Sequence, residues 1–144
     1  MSIVKPTDES PISFRLDPSS GVPPYIQLVH QVEDALRLGY LAPGDRLPRV
    51  KDVVAMLAIN PNTVLKAYRE LEQKGLVAGR PGQGTFVEAG LDVIPLADRA
   101  ALRRKLIRWI NDAEEAGLDD NAMRALFNRA LHEARESGSS KAVS

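Results

Sequence analysis

Apolar residues recur at helical spacing in five stretches of this chain, separated by clusters of turn residues. Leu28, Val29, Val32 and Leu36, with Tyr25 in register, predict a helix from about Pro24 or Tyr25 to Leu38, with Gly39 at its C-cap. Val50, Val53, Val54 and Leu57 predict a short second helix that Pro48 introduces. Arg49 stands where an N-cap Ser, Thr, Asn or Asp is usual, so packing has to hold this helix. After Ala58 and Ile59, Asn60 is a strong N-cap and Pro61 suits the first helical position. Val64, Ala67, Tyr68 and Leu71 then form the buried face of a third helix, Pro61 to Lys74, ended by Gly75. Leu102, Leu106, Trp109, Ile110 and Ala113 mark a long helix from about Leu96 to Ala116. Met123, Leu126, Phe127, Ala130, Leu131 and Ala134 mark a last one, capped by Asp119 or Asp120.

Elsewhere the period drops to two. Ile12, Phe14 and Leu16 alternate with Ser13 and Arg15, as a short strand or an extended clamp, ahead of a loop from Asp17 to Pro24. Leu76-Val77-Ala78-Gly79 and Thr85-Phe86-Val87-Glu88 flank Arg80-Pro81-Gly82-Gln83-Gly84 and read as a hairpin, and Arg46-Leu47-Pro48 is a candidate very short strand. Two helices meeting across a tight turn make a helix-turn-helix, and a hairpin directly after it is a wing. The expected fold is mainly α with a small β-wing. It divides into a loose N-terminal tail and extended segment (1–21), a winged helix-turn-helix head (22–90), a connector at 89–95, a two-helix appendage (96–137) and a disordered tail (138–144).

The appendage helices, joined by a short connection, cannot cover both of their own apolar faces. Packing against a second copy, through Leu102, Leu106, Trp109, Ile110, Met123, Leu126, Phe127 and Leu131, is the economical solution; docking on the head of the same chain is the alternative. Trp109 is expected in a core or dimer interface rather than in an effector pocket.

Composition narrows the function. Net charge is zero, from 19 basic and 19 acidic residues, so no whole-chain basic signature marks a nucleic-acid binder. Charge is nevertheless segregated: between Arg46 and Arg80 seven basic residues face three acidic ones, a local +4 that the rest of the chain offsets. With no cysteine, disulfides and thiolate metal sites are excluded. The two histidines, His30 and His132, have no spacing suited to metal or acid–base work, so neither an enzyme nor a cofactor is expected. No apolar run resembles a signal peptide or a membrane span, and a cytoplasmic location is expected.

On the third helix, the face opposite the apolar stripe carries Asn62, Thr63, Lys66, Arg69 and Gln73, short amides and a hydroxyl near its N-terminus that suit a DNA major groove. Phe14-Arg15-Leu16-Asp17 through Ser20-Gly21-Val22-Pro23, Tyr25-Ile26-Gln27, and Pro43-Gly44-Asp45-Arg46-Leu47-Pro48 resemble the head of GntR-type transcriptional regulators. So do Asn60-Pro61-Asn62-Thr63-Val64, Lys66-Ala67-Tyr68, Leu71-Glu72, Gly75-Leu76-Val77 and Gly82-Gln83-Gly84-Thr85-Phe86-Val87. The resemblance spans about Ile12 to Glu88, and the Asn-Pro-Asn-Thr variant with a short two-helix C-terminal part is similar to the YtrA-like subgroup. It implies a dimeric winged-helix regulator, usually a repressor, on a pseudo-palindromic double-stranded operator, with the appendage serving dimerisation. The stretch after Val87 is too short for the larger effector or aminotransferase-like domains of other branches.

Within that resemblance Lys51 stands where the family usually has a DNA-contacting Arg, Asn60, Asn62 and Thr63 open the recognition helix, and Gly82, Gln83 and Gly84 form the wing tip. The family's Leu-Pro-Ser-x-Arg-Glu-Leu-Ala becomes Leu-Pro-Arg-Val-Lys-Asp-Val-Val here, which loses a serine cap and a forked guanidinium. Lysine has no bidentate geometry for guanine, so a phosphate contact suits Lys51. Arg49, Lys51, Lys66, Arg69 and Arg80 are then expected to neutralise phosphates while Asn62 and Thr63 read bases. A winged-helix adaptor that binds protein is the rival reading. The residues do not specify an operator or a small-molecule effector.

Overall fold

The computed structural model describes residues 10–90 and 96–143. In chain order these form α1 (Pro24–Arg37), α2 (Val50–Leu57), α3 (Pro61–Gln73), β1 (Val77–Arg80), β2 (Gly84–Val87), α4 (Leu96–Glu115) and α5 (Asp120–Val143). Two compact units divide after Leu96. Most of the loose tail expected up to about Pro11 (residues 1–9) and most of the connector expected over 89–95 (residues 91–95) lie outside the described residues.

In the first unit the predicted stripes converge. Leu28, Val32 and Leu36 of α1 meet Val64 and Leu71 of α3, all fully buried, with Val53 of α2 and Val87 of β2 in the same core. β1 and β2 pair antiparallel, Val77 opposite Val87 and Arg80 opposite Gly84. The candidate strand near Arg46 is a single bridge to Phe86, extended by Leu47 N–H donating to the Thr85 carbonyl and Val87 N–H to that of Asp45. The loop before α2 thereby adds a third edge to the hairpin.

The helix ends follow local chemistry. The Asn62 N–H donates to Asn60 Oδ1 at 2.8 Å, the expected cap, and Pro61 occupies the first turn of α3. The N-cap of α2 is Arg49, with no side-chain cap bond, as the sequence implied. Its C-cap, Ala58, sits at φ 52, the left-handed region that costs an L-residue roughly 1–2 kcal/mol. That conformation turns the chain directly into the Asn60 cap.

The extended segment resolves as a clamp and not as a strand, and it belongs to the head rather than to a separate segment ending at residue 21. Phe14 is 4% exposed, within the core and 6.3 Å from the Tyr68 ring. Two glutamines of α1 take the place of a neighbouring strand. The Arg15 N–H donates to Gln31 Oε1 at 2.9 Å, and Gln31 Nε2 donates to the Arg15 carbonyl at 2.6 Å. Gln27 repeats the pattern on Asp17, at 2.8 and 3.0 Å, and its Nε2 also reaches the Val22 carbonyl and Ser20 Oγ. The spacing explains why this works: four helical residues rise about 6 Å and two extended residues about 6.6 Å, so one helix turn matches one strand repeat. Replacing both, Gln27→Leu with Gln31→Leu, is expected to cost the head about 1–3 kcal/mol. Residues 10–17 should then become protease-sensitive, as limited proteolysis with mass detection would read.

In the second unit, Asp119 rather than Asp120 caps α5, its Oδ1 accepting from the Ala122 N–H at 2.8 Å. Among the described residues only Ala113 and Met123, close to the turn, are buried here. Met123, expected on the face offered to a second copy, is therefore largely used up within the unit. Beyond the turn the stripes stay open: Leu102, Leu106, Leu126, Phe127 and Leu131 are each more than 40% exposed, and Trp109 and Ile110 are half-buried. α5 runs on to Val143, into the stretch expected as a disordered tail. Gly138 and the serines weaken a helix by up to about 1 kcal/mol each, but extending one already formed adds a hydrogen bond per residue without a new nucleus.

Candidate nucleic-acid interface

The buried stripe of α3 fixes which side chains it can offer. With Val64, Ala67, Tyr68 and Leu71 inward, Asn62, Lys66, Arg69 and Gln73 fall in one exposed row. Thr63, expected in that row, is half-buried on its edge, and Leu65 adds an exposed apolar side chain. The Asn60 carbonyl oxygen is occupied by its cap, which leaves its amide NH₂ as the group facing solvent. A small amide at the first turn, followed by two cations, is a set that reads base edges at one end and phosphates further along.

Two of the expected cations are held by rings. Lys66 Nζ lies 4.1 Å from the centroid of Tyr25, which brings the start of α1 to the edge of this face. Sequence periodicity placed Tyr25 only in the register of the α1 stripe and gave no sign of the pairing, since the residues are far apart in the chain. Arg80 stacks over Phe86 at 4.2 Å, and Arg46 lies 5.1 Å from the same ring. Arg46 is thus a third guanidinium at the hairpin, beside Arg49 and Arg80, that the spacing argument left out of the site. Lys74, which contributed to the local positive charge, is engaged by Glu33 at 3.3 Å and ties the end of α3 to α1.

The wing and the start of α2 share a surface. Arg49 and residues 79–85 line one shallow groove, which brings Arg49 together with Arg80, Gly82, Gln83 and Gly84. Gly84 sits at φ +127, so a side chain at this position would strain the backbone, while its Cβ would rest in ordinary contact with the Arg46 side chain, 3.5 Å from Nε. At the uncapped end of α2, Asp52 and Val53 N–H both donate to the Arg49 carbonyl, while Lys51 and Asp52 side chains are exposed. An open helix N-terminus between Arg49 and Lys51 is suited to a phosphate oxygen. Among the described residues no group of His, Cys, Asp or Glu can hold a metal ion, and no helix is long and apolar enough to cross a membrane.

Tyr68 locks these elements together. Its hydroxyl donates to the Pro48 carbonyl, one residue before the α2 cap, and burial pushes its phenol above the ordinary tyrosine range. The orientation of α2 relative to α3 is thereby set by a hydrogen bond that neither helix shows in its own sequence pattern.

The match to known proteins follows the same boundaries. The family model of bacterial regulatory proteins, gntR family, covers residues 24–87, from the start of α1 to the end of β2. The HTH-type transcriptional repressor YtrA of Bacillus subtilis is 34% identical over 107 residues, 74% of this chain and 82% of that protein. The crystal structure of a protein described as a transcriptional antiterminator from Listeria monocytogenes EGD-e superposes with a TM-score of 0.54 at 28% identity, over 85% of this chain and 92% of that one. A structure of YtrA from Sulfolobus acidocaldarius, a GntR-family transcription factor, is 29% identical over 67% of this chain and 96% of that one, with a TM-score of 0.49. With a winged helix-turn-helix head and a two-helix C-terminal unit, the chain belongs to the GntR family of DNA-binding transcriptional regulators, and is not an enzyme.

Proposed function

We propose that the chain acts as a repressor, binding a pseudo-palindromic double-stranded operator as a homodimer. The row of Asn62, Lys66, Arg69 and Gln73 on the face of α3 opposite its buried stripe, followed by the wing, carries this reading. Asn62, with Thr63 at its edge, reads bases in the major groove. Arg49, Lys51, Lys66, Arg69 and Arg80 contact phosphates, and the Asn60 amide and the backbone at Gly82-Gln83-Gly84 approach the strand beside them. The open apolar stripes of α4 and α5 join two copies, and two copies present two recognition helices to two half-sites. The relative from Bacillus subtilis, a transcriptional repressor, supports the repressor role.

An operator selected from genomic fragments provides the test. With about five phosphates neutralised per protomer, log K should fall against log[salt] with a slope of about −9 for the dimer. Asn62→Ala is expected to lower the ratio of operator to random-sequence affinity about 10-fold or more, whereas Lys66→Ala weakens both alike. A ratio untouched by Asn62→Ala in competitive gel shifts would remove the base-reading role.

A further inference from the structure

We infer that α4 meets α4 of a second copy antiparallel, in a register written by two pairs of charges and centred between Arg108 and Trp109. The pairing presupposes the homodimer proposed above and specifies its geometry. On α4, Arg103, Lys105, Asp112 and Glu114 are all exposed, and among the described residues none of the four is ion-paired. Seven residues make close to two helical turns and eleven close to three. Lys105 and Asp112 therefore share one line along the helix, and Arg103 and Glu114 share another. These lines flank the stripe of Leu102, Leu106, Trp109 and Ile110 on either side, and of these four charges the two cations are N-terminal and the two anions C-terminal, while Asp98 continues the Lys105–Asp112 line one repeat further toward the N-terminus.

Such a helix is complementary to itself only when reversed. In a twofold contact each patch meets its own copy turned around. Reversal about one point places Lys105 against Asp112 of the second copy and Arg103 against Glu114 of the second copy. Both pairs have the same midpoint, so a single dyad satisfies all four interactions of the dimer at once. A parallel arrangement would set each charge against its like. The apolar stripe supplies the driving force, and Leu102, at 55% exposed, and Leu106, at 48%, lie along the line the second helix would cover. Charge then selects direction and register, as flanking positions do in coiled coils.

Charge-reversed full-length chains test this without touching the apolar face. Arg103→Glu/Lys105→Glu and Asp112→Lys/Glu114→Lys should each self-associate at least tenfold more weakly than the parent at low salt. An equimolar mixture should give heterodimer in at least tenfold excess over statistical mixing by native mass spectrometry, and the fourfold reversal should restore self-association. Because the chain has no cysteine, Trp109→Cys should also form a disulfide-linked dimer on oxidation while Leu102→Cys, about 20 Å from its counterpart in this register, does not. Statistical mixing with parental strength, or cross-linking at both positions, would overturn the register and leave the homodimer standing. A parent chain that is monomeric at micromolar concentration would overturn both.

Discussion

Leu106→Asp combined with Phe127→Asp is expected to leave the protein monomeric at micromolar concentration and to lower operator affinity by about 10²–10⁴-fold. Both side chains are about half exposed and line the apolar groove between α4 and α5 with Trp109 and Ile110. Fully burying a large apolar side chain is worth about 1.5–3 kcal/mol, so covering several such residues in each copy provides ample affinity for association. Placing a carboxylate in that contact costs more than the apolar loss alone, because an unpaired charge has to be desolvated. Each head keeps its contacts with a half-site, so affinity for random DNA should fall far less than affinity for the paired site. Sedimentation velocity and gel shifts on one half-site against two separate the effects. A variant that still sediments as a dimer would move the interface elsewhere.

Tyr68→Ala is expected to destabilise the head by about 3–5 kcal/mol, since a large aromatic leaves a cavity between Phe14 and the α2 entry. Tyr68→Phe keeps the ring and should cost only about 0.5–1.5 kcal/mol, yet it frees α2 to shift relative to α3. The pH dependence is specific. Unfolded tyrosine ionises near pH 10, whereas burial holds the folded phenol neutral to higher pH. The folded state therefore binds the proton more tightly. Its contribution is complete below about pH 10 and is lost as pH rises from there through the folded pKa. Urea titrations at pH 9 and pH 11 should show a loss of stability that Tyr68→Phe reduces. An identical alkaline loss in the phenylalanine variant would exclude this phenol as a source.

Much of the head is legible because its signals are local. Asn60-Pro61 announces the start of α3 by capping chemistry, and the stripe at Val64, Ala67, Tyr68 and Leu71 fixes which residues face out. The unread parts arise where a side chain acts across the chain. Gln27 and Gln31 look like ordinary polar positions of α1, since periodicity reports which face is wet and not which backbone an amide will pair with. Lys66 looks like a free cation until the fold brings Tyr25 beneath it. Ala58 gave no warning of its left-handed turn, because the residues that signal such turns are glycine and asparagine. Serine and glycine near the end of α5 suggest a linker by composition, while helix growth depends on what precedes them.

The hairpin tip has a consequence for how such a regulator can change its target. Arg80 is engaged with Phe86, Pro81 constrains the turn, Gly82 sits at φ +74 and Gly84 at φ +127. Gln83 alone contributes only its backbone, through an N–H donated to the Arg80 carbonyl, while its side chain is exposed. Mutational tolerance in the wing is thus concentrated in one residue. Divergence between paralogues, or a selection for new operators, has a single inexpensive site here, and libraries randomised at Gln83 should retain folded, soluble members where libraries at Gly84 lose them.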